Sequence, residues 1–445
     1  MKTNPTARIR CEASYVPVLV GLLLILQLLT PYKGWMILLV GLGGAWLVSY
    51  VWARSLARGL ELTREMRFGW MQVGDHLQEC FTVANKGWAP AQWVAVLDHS
   101  DLPGYDVSTA RPVGGRAIIH WFKRGVCNRR GLYTLGPTTV EASDPFGFYA
   151  VSLDYSATFT MMVMPPVVHL PAIDIAPGGR AGEGRRLARA HTLDETVSAS
   201  SVREYTPGDS MRWVHWPTSA RRDELHVRTF DRTPSSDWWI YLDMNRRVQA
   251  GEGQTSTEEH GVILAASLAD HGLHSGRAVG LVTCGHGEEL TWLTPRLGGD
   301  QRWEILRALA LAGPGERGLA DLLARTRSAL KHRNSVIIIT PDVEGSWVDS
   351  VVLLMRQEIT PTVLLLDSAS FRSKGKRGRS FGGEGEADRT LASLSELEVT
   401  YYRITPDLLD RPEARPGQIG QWRRTRQGRW EPKFHHRALY WRRLA

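Results

Sequence analysis

The chain is poor in cysteine: four residues in 445, Cys11, Cys80, Cys127 and Cys284, with no C-x-x-C pair. This excludes a zinc ribbon and argues against a disulfide framework, so the thiols read as those of a reducing compartment. A Cys80–Cys127 bridge is the one local pairing left open. His271, His274, Cys284 and His286 fall on different expected elements without ligand spacing and read as solvated side chains, not a soft metal site. The sequence has no G-x-S-x-G elbow, no H-E-x-x-H and no Walker motif, which removes the signatures of α/β-hydrolases, zincins and P-loop NTPases. The glycine-rich stretch Gly178 to Arg186 lacks both a closing Lys-Ser/Thr and a strand feeding it. It reads as an exposed linker whose Arg185, Arg186, Arg189 and His191 are candidates for contact with anionic lipid or a partner. Acidic residues are also outnumbered, 46 against 54 Lys and Arg, for a net charge of +8. A basic balance leaves anionic membrane surface or nucleic acid as partner classes.

What is present begins with two apolar runs. Tyr15 to Thr30 is apolar apart from Gln27, and Gly34 to Ala53 is apolar with Gly and Ser interspersed; Thr30-Pro31-Tyr32-Lys33-Gly34 between them is a turn. Each run approaches the ~20 residues that cross a bilayer as helix, so the pair predicts a transmembrane hairpin. The immediate second run argues against a cleaved signal peptide. Arg8 and Arg10 precede the hairpin and Arg54, Arg58, Arg64 and Arg67 follow it. By the positive-inside rule both termini and the soluble domains are cytoplasmic, in a multi-pass inner-membrane protein.

From about Leu60 to Met164, short alternating runs (His76 to Ala84, Gln92 to Leu97, Ala117 to Phe122) are separated by Gly and Pro turns, which predicts a small β-sandwich. After residue 233 the pattern changes to strand and helix in alternation. Trp238 to Leu242, Arg277 to Thr283, Leu290 to Leu293, Val336 to Thr340, Thr362 to Leu366 and Val399 to Ile404 are strands. Glu258 to His271, Arg302 to Leu311, Leu319 to Leu330 and Trp347 to Gln357 are helices. Such alternation predicts a parallel sheet with ligands at the carboxyl ends of its strands, where Asp243 and Asp342 stand. Ser368 to Asp388 reads as a glycine-rich charged loop. The tail from Gln421 interleaves arginine with Trp422, Trp430, Tyr440 and Trp441, which suits a bilayer surface or an acidic partner better than single-stranded nucleic acid.

Between these halves, Arg203 to Arg228 carries the densest pattern. Gly208, Asp209, Arg212, Val214, Trp216, Ser219, Ala220, Arg221, Leu225, Val227 and Arg228 fall on G-D-x-x-R-x-I-x-W-x-x-S-A-R-x-x-x-L-x-V-R. R-G-L-Y-T-L-G-P and D-P-F-G-F precede it. Read as residues, the stretch is a turn and an edge strand pinned by tryptophan burial and one ion pair. As a pattern, it resembles the bacterial domain of unknown function 58 family. The resemblance implies a membrane-anchored protein with a C-terminal von Willebrand factor A-like domain, encoded beside MoxR-type AAA+ ATPases. The residues it singles out for partner binding are Gly208, Asp209, Arg212, Trp216, Ser219, Ala220 and Arg221.

A von Willebrand A-like domain often holds Mg²⁺ through D-x-S-x-S. Here Asp243-Met244-Asn245-Arg246-Arg247 places a guanidinium at the third position, and no threonine stands between Gly313 and Gly318. The expectation is a degenerate site at Asp243, Asn245 and Asp342, with Arg247 replacing the cation by pairing with Asp243 or Asp342 and no metal or other cofactor held.

The expected architecture is therefore a membrane hairpin (1–55), a β-sandwich (56–165), a linker with the signature (166–232), a Rossmann-like von Willebrand A-like α/β domain (233–415) and a basic aromatic tail (416–445). The expected function is a non-enzymatic scaffold or adaptor working with a MoxR-type ATPase on a client complex, which the resemblance places in the cell envelope, with membrane lipid as a second partner and no small-molecule substrate. The alternatives are a cryptic hydrolase using Ser219, His215 and Asp209, and a metal-dependent A-domain interaction module.

Overall fold

The computed structural model describes residues 5–66, 69–170, 173, 175–176, 199–205, 214–222, 224–284, apart from 231–236, then 289–331, 334–359, 361–372 and 383–407, and three short strands in the tail. The chain divides into two units, one of Met1–Met164 with Phe434–Ala445, the other of Pro165–Lys433.

The first unit opens with β1 (Thr6–Cys11), α1 (Tyr15–Leu29) and α2 (Lys33–Gly59). At ~1.5 Å per residue α1 is about 22 Å long and α2 about 40 Å. Among the described residues only α2 is long and apolar enough to cross a membrane; α1 is a shorter apolar helix, against the expectation of two full spans. Ten strands follow: β2 (Leu60–Met66), β3 (Trp70–Gln72), β4 (His76–Asn85), β5 (Ala91–Asp98), β6 (Thr109–Val113), β7 (Ile118–Val126), β8 (Gly131–Leu135), β9 (Thr138–Ser143), β10 (Tyr149–Tyr155) and β11 (Phe159–Met164). The apolar alternation of β4 becomes alternating burial along its length, the signature of a strand with one face in a core. Among the described residues the sheets run β1-β10-β9-β5-β6, β22-β2-β4-β7 and β3-β11-β8, where β22 is Arg442–Arg443 of the tail.

The expected boundary at residue 55 is not a boundary. β1 pairs antiparallel with β10 from Thr6↔Asp154 to Cys11↔Tyr149. Ala53 and Leu56 of α2 join the sandwich core with Leu77, Phe81, Val96 and Leu153. β10 would otherwise expose a row of unpaired peptide groups, and β1 satisfies them. Both ends of the helix pair thus enter one and the same sandwich.

Inside it lies a charged cluster. Arg64 on β2 forms a bidentate pair with Glu79 on β4 (2.8 and 3.0 Å) and bonds Asp98 on β5 (2.8 Å), and the Tyr105 hydroxyl donates to Glu79 (2.5 Å). Burial by itself would lower the Arg64 pKa; the bonds and charges of Glu79 and Asp98 outweigh it and raise it.

The second unit contains β12 (Ala199–Glu204), α3 (Trp216–Arg222) and β13 (His226–Phe230), then β14 (Trp238–Leu242), α4 (Thr257–His274), β15 (Val279–Cys284), β16 (Leu290–Arg296), α5 (Gly299–Leu311), α6 (Leu319–Thr326), β17 (Ser335–Thr340), α7 (Val348–Met355), β18 (Pro361–Leu366), α8 (Ser368–Phe371), α9 (Gly383–Glu396) and β19 (Thr400–Ile404). The tail adds a small hairpin of β20 (Trp422–Arg424) and β21 (Trp430–Pro432). A six-stranded sheet has the order β16-β15-β14-β17-β18-β19, parallel except for the antiparallel edge strand β16. Successive strand residues point to opposite faces. Leu242 lies against Gly261 of α4, whereas the Tyr241 hydroxyl bonds Thr326 of α6 (2.7 Å), so helices cover both faces. That double cover is why β14, β17 and β18 are buried at every position. Ser256 caps α4 by accepting from the Glu259 amide, the S-x-x-E pattern.

Two expectations are corrected. Leu319 to Leu330 is helical only to Thr326 and ends in a 3₁₀ turn, Arg327–Ala329. Part of the expected loop Ser368 to Asp388 is helix: α9 buries Ala387, Thr390 and Leu394, a stripe at i, i+3 and i+7 that the surrounding glutamates and glycines obscure.

Candidate functional site

Two places hold the residues singled out by the sequence: the signature between β12 and β13, and the carboxyl edge of the parallel sheet.

In the signature, β12 and β13 pair antiparallel from Val202↔Arg228 to Glu204↔His226, and α3 lies between them in the chain. Gly208, Asp209 and Arg212 lie outside the described residues, as does the glycine-rich stretch Gly178 to Arg186. Ser219 is buried, and its hydroxyl accepts from the His226 amide (2.9 Å) and donates to the His226 carbonyl (3.4 Å). The His215 amide also donates to the His226 carbonyl (2.7 Å). The serine of S-A-R therefore fastens the helix to the strand.

The His215 ring bonds the Thr218 hydroxyl at 2.7 Å, not Ser219. Ser219 and His215 are each occupied by other partners, so the nucleophile–base pair of the alternative hydrolase reading is not assembled. The expected burial of tryptophan is corrected at Trp216, while Trp213 lies outside the described residues. Trp216 is 62% exposed, and Ala220, Arg221 and Arg222 beside it are exposed. Among the described residues of this segment, Val214 is a buried apolar side chain.

At the sheet, the chain leaves β14 and turns to one side, through β15 and β16, and later resumes on the other side of β14 with β17. The switch in order thus falls between β14 and β17, the place where open α/β sheets form crevices. Here side chains of the same chain close it. Asp243 is buried and accepts from the Thr340 hydroxyl (2.7 Å) and the Asn245 amide (3.0 Å). The Thr340 oxygen accepts in turn from the Asp342 amide (3.0 Å). Asp342 accepts from the Glu344 amide (2.9 Å) and the Ser346 hydroxyl (3.3 Å), and its carbonyl takes the indole N–H of the fully buried Trp347 (3.1 Å). Burial pushes the Asp243 carboxyl up to about 6; the Thr340 and Asn245 bonds pull it down and the neighbouring Asp342 charge adds to the rise.

The donors around Asp243 are bonded to groups of the same chain. Mg²⁺ needs free oxygen ligands in octahedral array. Each Asp243 oxygen already takes a hydrogen bond, and the Asn245 side-chain oxygen accepts from the Arg247 amide (3.1 Å). Among the described residues no group of three or more His, Cys, Asp or Glu side chains gathers at one point suited to a metal.

The group that meets Asp243 is not the expected one. Arg247 has its side chain 82% exposed and reaches Glu316 (3.7 Å) instead of Asp243 or Asp342. The reason is a backbone tie: Asn245 bridges Gly315, Arg246 donates to the Gly315 carbonyl (2.8 Å) and Gly315 donates to the Met244 carbonyl (2.9 Å). That tie carries Arg246 and Arg247 outward to the neighbouring loop. Thr340 takes the inner place. Sequence reasoning missed it, although its position at the end of the most apolar strand, one residue before Pro341 and two before Asp342, was a usable signal.

Residues 201–369 match the family described as "Protein of unknown function DUF58". Uncharacterized protein YeaD of Bacillus subtilis is 24% identical over 263 residues, covering 57% of this chain and 63% of that protein. Uncharacterized protein Rv1480 of Mycobacterium tuberculosis is 25% identical over 146 residues, covering 32% and 46%. The chain spans less than two thirds of the length of these relatives. Among solved structures, the CARDB domain of the PF1109 protein from Pyrococcus furiosus has a TM-score of 0.17 at 14% identity, covering 24% of this chain and 94% of that one. A β-glucosidase from Listeria innocua has a TM-score of 0.16 at 10% identity, covering 23% and 16%. Likeness at that level carries no argument about fold or activity.

Proposed function

We propose that this chain is a membrane-anchored, non-enzymatic adaptor that couples a MoxR-type AAA+ ATPase to the assembly or remodelling of a client complex. The observation that carries the proposal is the signature helix α3, which holds Ser219 inward as a fastener and leaves Trp216, Ala220 and Arg221 outward. An exposed tryptophan beside an arginine has the composition of an interface hot spot. The ATPase itself comes from the family resemblance of the signature.

The order of the six-stranded sheet, with its antiparallel edge, supports reading the second unit as a von Willebrand A-like domain whose cation position has been taken over by the Thr340 hydroxyl. In that reading it serves as a rigid platform for protein contacts. A hydrolase at Ser219 is disfavoured, because the hydroxyl is engaged with the His226 backbone.

The membrane anchor is the α1–α2 hairpin in this reading, crossing the inner membrane and returning. Entry of both its ends into one sandwich supports it, since the two ends must then lie on the same side. Arg8, Arg10, Arg54 and Arg58 near those ends make that side cytoplasmic. The short α1 is accommodated by local thinning of the bilayer.

The test is co-purification of the tagged, detergent-solubilised chain with its cognate MoxR-type ATPase, with and without ATP. A Trp216→Ser/Arg221→Glu variant is run in parallel and checked for unchanged thermal unfolding. Nucleotide-dependent capture by the parent and its loss in the variant support the reading and assign the contact to the signature. Capture by both moves the contact elsewhere on the chain. No capture by the parent refutes the adaptor.

A further inference from the structure

We propose that the sandwich of the first unit rests directly on the bilayer, with Trp88 and Phe146 seated in the lipid headgroup layer where the helix hairpin enters. This rests on the membrane anchoring proposed above and adds to it a lipid-binding surface on the sandwich itself.

The argument starts from α2. Its exposed face stays apolar through Leu47, Val48, Tyr50 and Val51 and turns basic at Arg54 and Arg58. Counted from Lys33, Val51 lies about 27 Å and Arg54 about 32 Å along the helix. The hydrocarbon core of a bilayer is ~30 Å thick. With the Pro31–Gly34 turn at the far interface, the near interface therefore falls at Trp52.

Trp52 is where the sandwich arrives. Its indole N–H donates to the Pro90 carbonyl (3.0 Å), and its ring meets that of Trp88 edge-on at 5.3 Å. The β4–β5 loop can come this close because Gly59 and Gly87 touch backbone to backbone. A Cβ on Gly59 would lie 2.5 Å from the Gly87 nitrogen. The β9–β10 turn arrives from the α1 side. Asp144 holds it by accepting from the Phe146 amide (2.9 Å) and the Tyr149 amide (2.7 Å), and the Phe148 carbonyl accepts from the Glu12 and Ala13 amides just before α1. Tyr149 packs edge-on against Tyr50 (5.7 Å), and Phe146 stacks on Phe148 (5.9 Å).

Trp88 is 53% exposed and Phe146 57%. Two rigid loops thus each hold a large aromatic side chain open to solvent at the depth of the interface, where aromatic rings are favoured. Arg10, Arg54, Lys86 and Arg116 are exposed around them and suit anionic headgroups. The D-P-F-G motif thereby gains a role: its aspartate shapes the turn and its phenylalanine meets lipid.

The test is depth measurement by nitroxide labels on the full chain, reconstituted in vesicles of phosphatidylethanolamine and phosphatidylglycerol. Cys11 and Cys80 are first replaced by serine; Cys127 and Cys284 are buried. Single labels are placed at Trp88→Cys, Phe146→Cys, Val40→Cys on the exposed face of α2, and Arg124→Cys, opposite Gln78 at the end of β4 remote from Asn85. The expected result is a label at 40 in the hydrocarbon core, a label at 124 in water, and labels at 88 and 146 between them. Those two should have several-fold lower accessibility to a water-soluble nickel chelate than 124 and raised accessibility to oxygen. Labels at 88 and 146 as water-accessible as 124, with 40 in the core, overturn the inference and leave the anchor standing. Labels at 88 and 146 shielded from both reagents mean that protein covers them, which also overturns it. A water-accessible label at 40 refutes the anchor and the inference with it.

Discussion

Replacing Asp243 by asparagine should reverse its effect on stability between neutral and acid pH. The folded carboxyl titrates near 6, against 3.8 for an exposed aspartate. A folded pKa raised above the unfolded one means that the stability associated with the proton is fully present below about 3.8 and is lost as pH rises through about 6. Each pKa unit corresponds to about 1.4 kcal/mol, so keeping Asp243 ionised at pH above 7 costs roughly 3 kcal/mol. Asparagine removes that cost. It accepts from only one of the two donors, Thr340 Oγ1 and the Asn245 amide, and one lost hydrogen bond costs about 1 kcal/mol. Asp243→Asn should therefore be more stable than the parent by roughly 2 kcal/mol above pH 7, and less stable by about 1 kcal/mol near pH 4.

The assay is hydrogen exchange of peptides covering β14 and β17, compared between variant and parent at each pH. Intrinsic exchange rates and the other titrating groups cancel in that difference, and the readout stays local to the second unit. A difference between variant and parent that is the same at all pH values would refute the account of Asp243 as a buried carboxyl held by Thr340. So would protection of these peptides by millimolar Mg²⁺ in the parent.

Removing the Arg64 guanidinium leaves Glu79 and Asp98 buried without a cation, and Arg64→Met should lower stability by about 3–5 kcal/mol. Thermal unfolding of the detergent-solubilised protein checks it, and a change below about 1 kcal/mol would mean that the cluster is hydrated in solution. Ser219→Ala leaves the His226 amide without its acceptor and should cost about 1–3 kcal/mol, read as faster exchange of β13. The same variant should retain ATPase capture in the co-purification assay, because Trp216 and Arg221 are untouched; loss of capture with β13 exchange unchanged would give the serine a direct part in binding.

How much was legible beforehand follows from the range of the interactions. The hairpin turn, the alternation of β4, the apolar centre of β17 and the helix of α4 are set by periodicity and turn chemistry within a few residues, so the linear sequence declares them. The signature pattern declared its family resemblance over Arg203 to Arg228 in the same way, and the family match covers residues 201–369. The strand β1 was hidden because Thr6–Cys11 pairs with residues some 140 positions away, and nothing local marks it. Helix α9 was hidden because glutamates and glycines outnumber the apolar residues in its sequence and mask the spacing of Ala387, Thr390 and Leu394.

The sites divide along the same line. The sequence by itself determined that Asp243 and Asp342 stand at the ends of two parallel strands, that Arg247 follows Asp243 by four positions, and that Ser219 follows Trp216 on a short basic stretch. Only tertiary structure decided what each of them meets. Thr340, 97 positions from Asp243, supplies the hydroxyl, while the Gly315 loop draws Arg247 out to Glu316. The backbone of His226 claims Ser219 and leaves Trp216 to solvent. Partners of that kind are fixed by sheet order and loop pairing. Spacing along the chain can propose them, but only packing selects which one reaches the group.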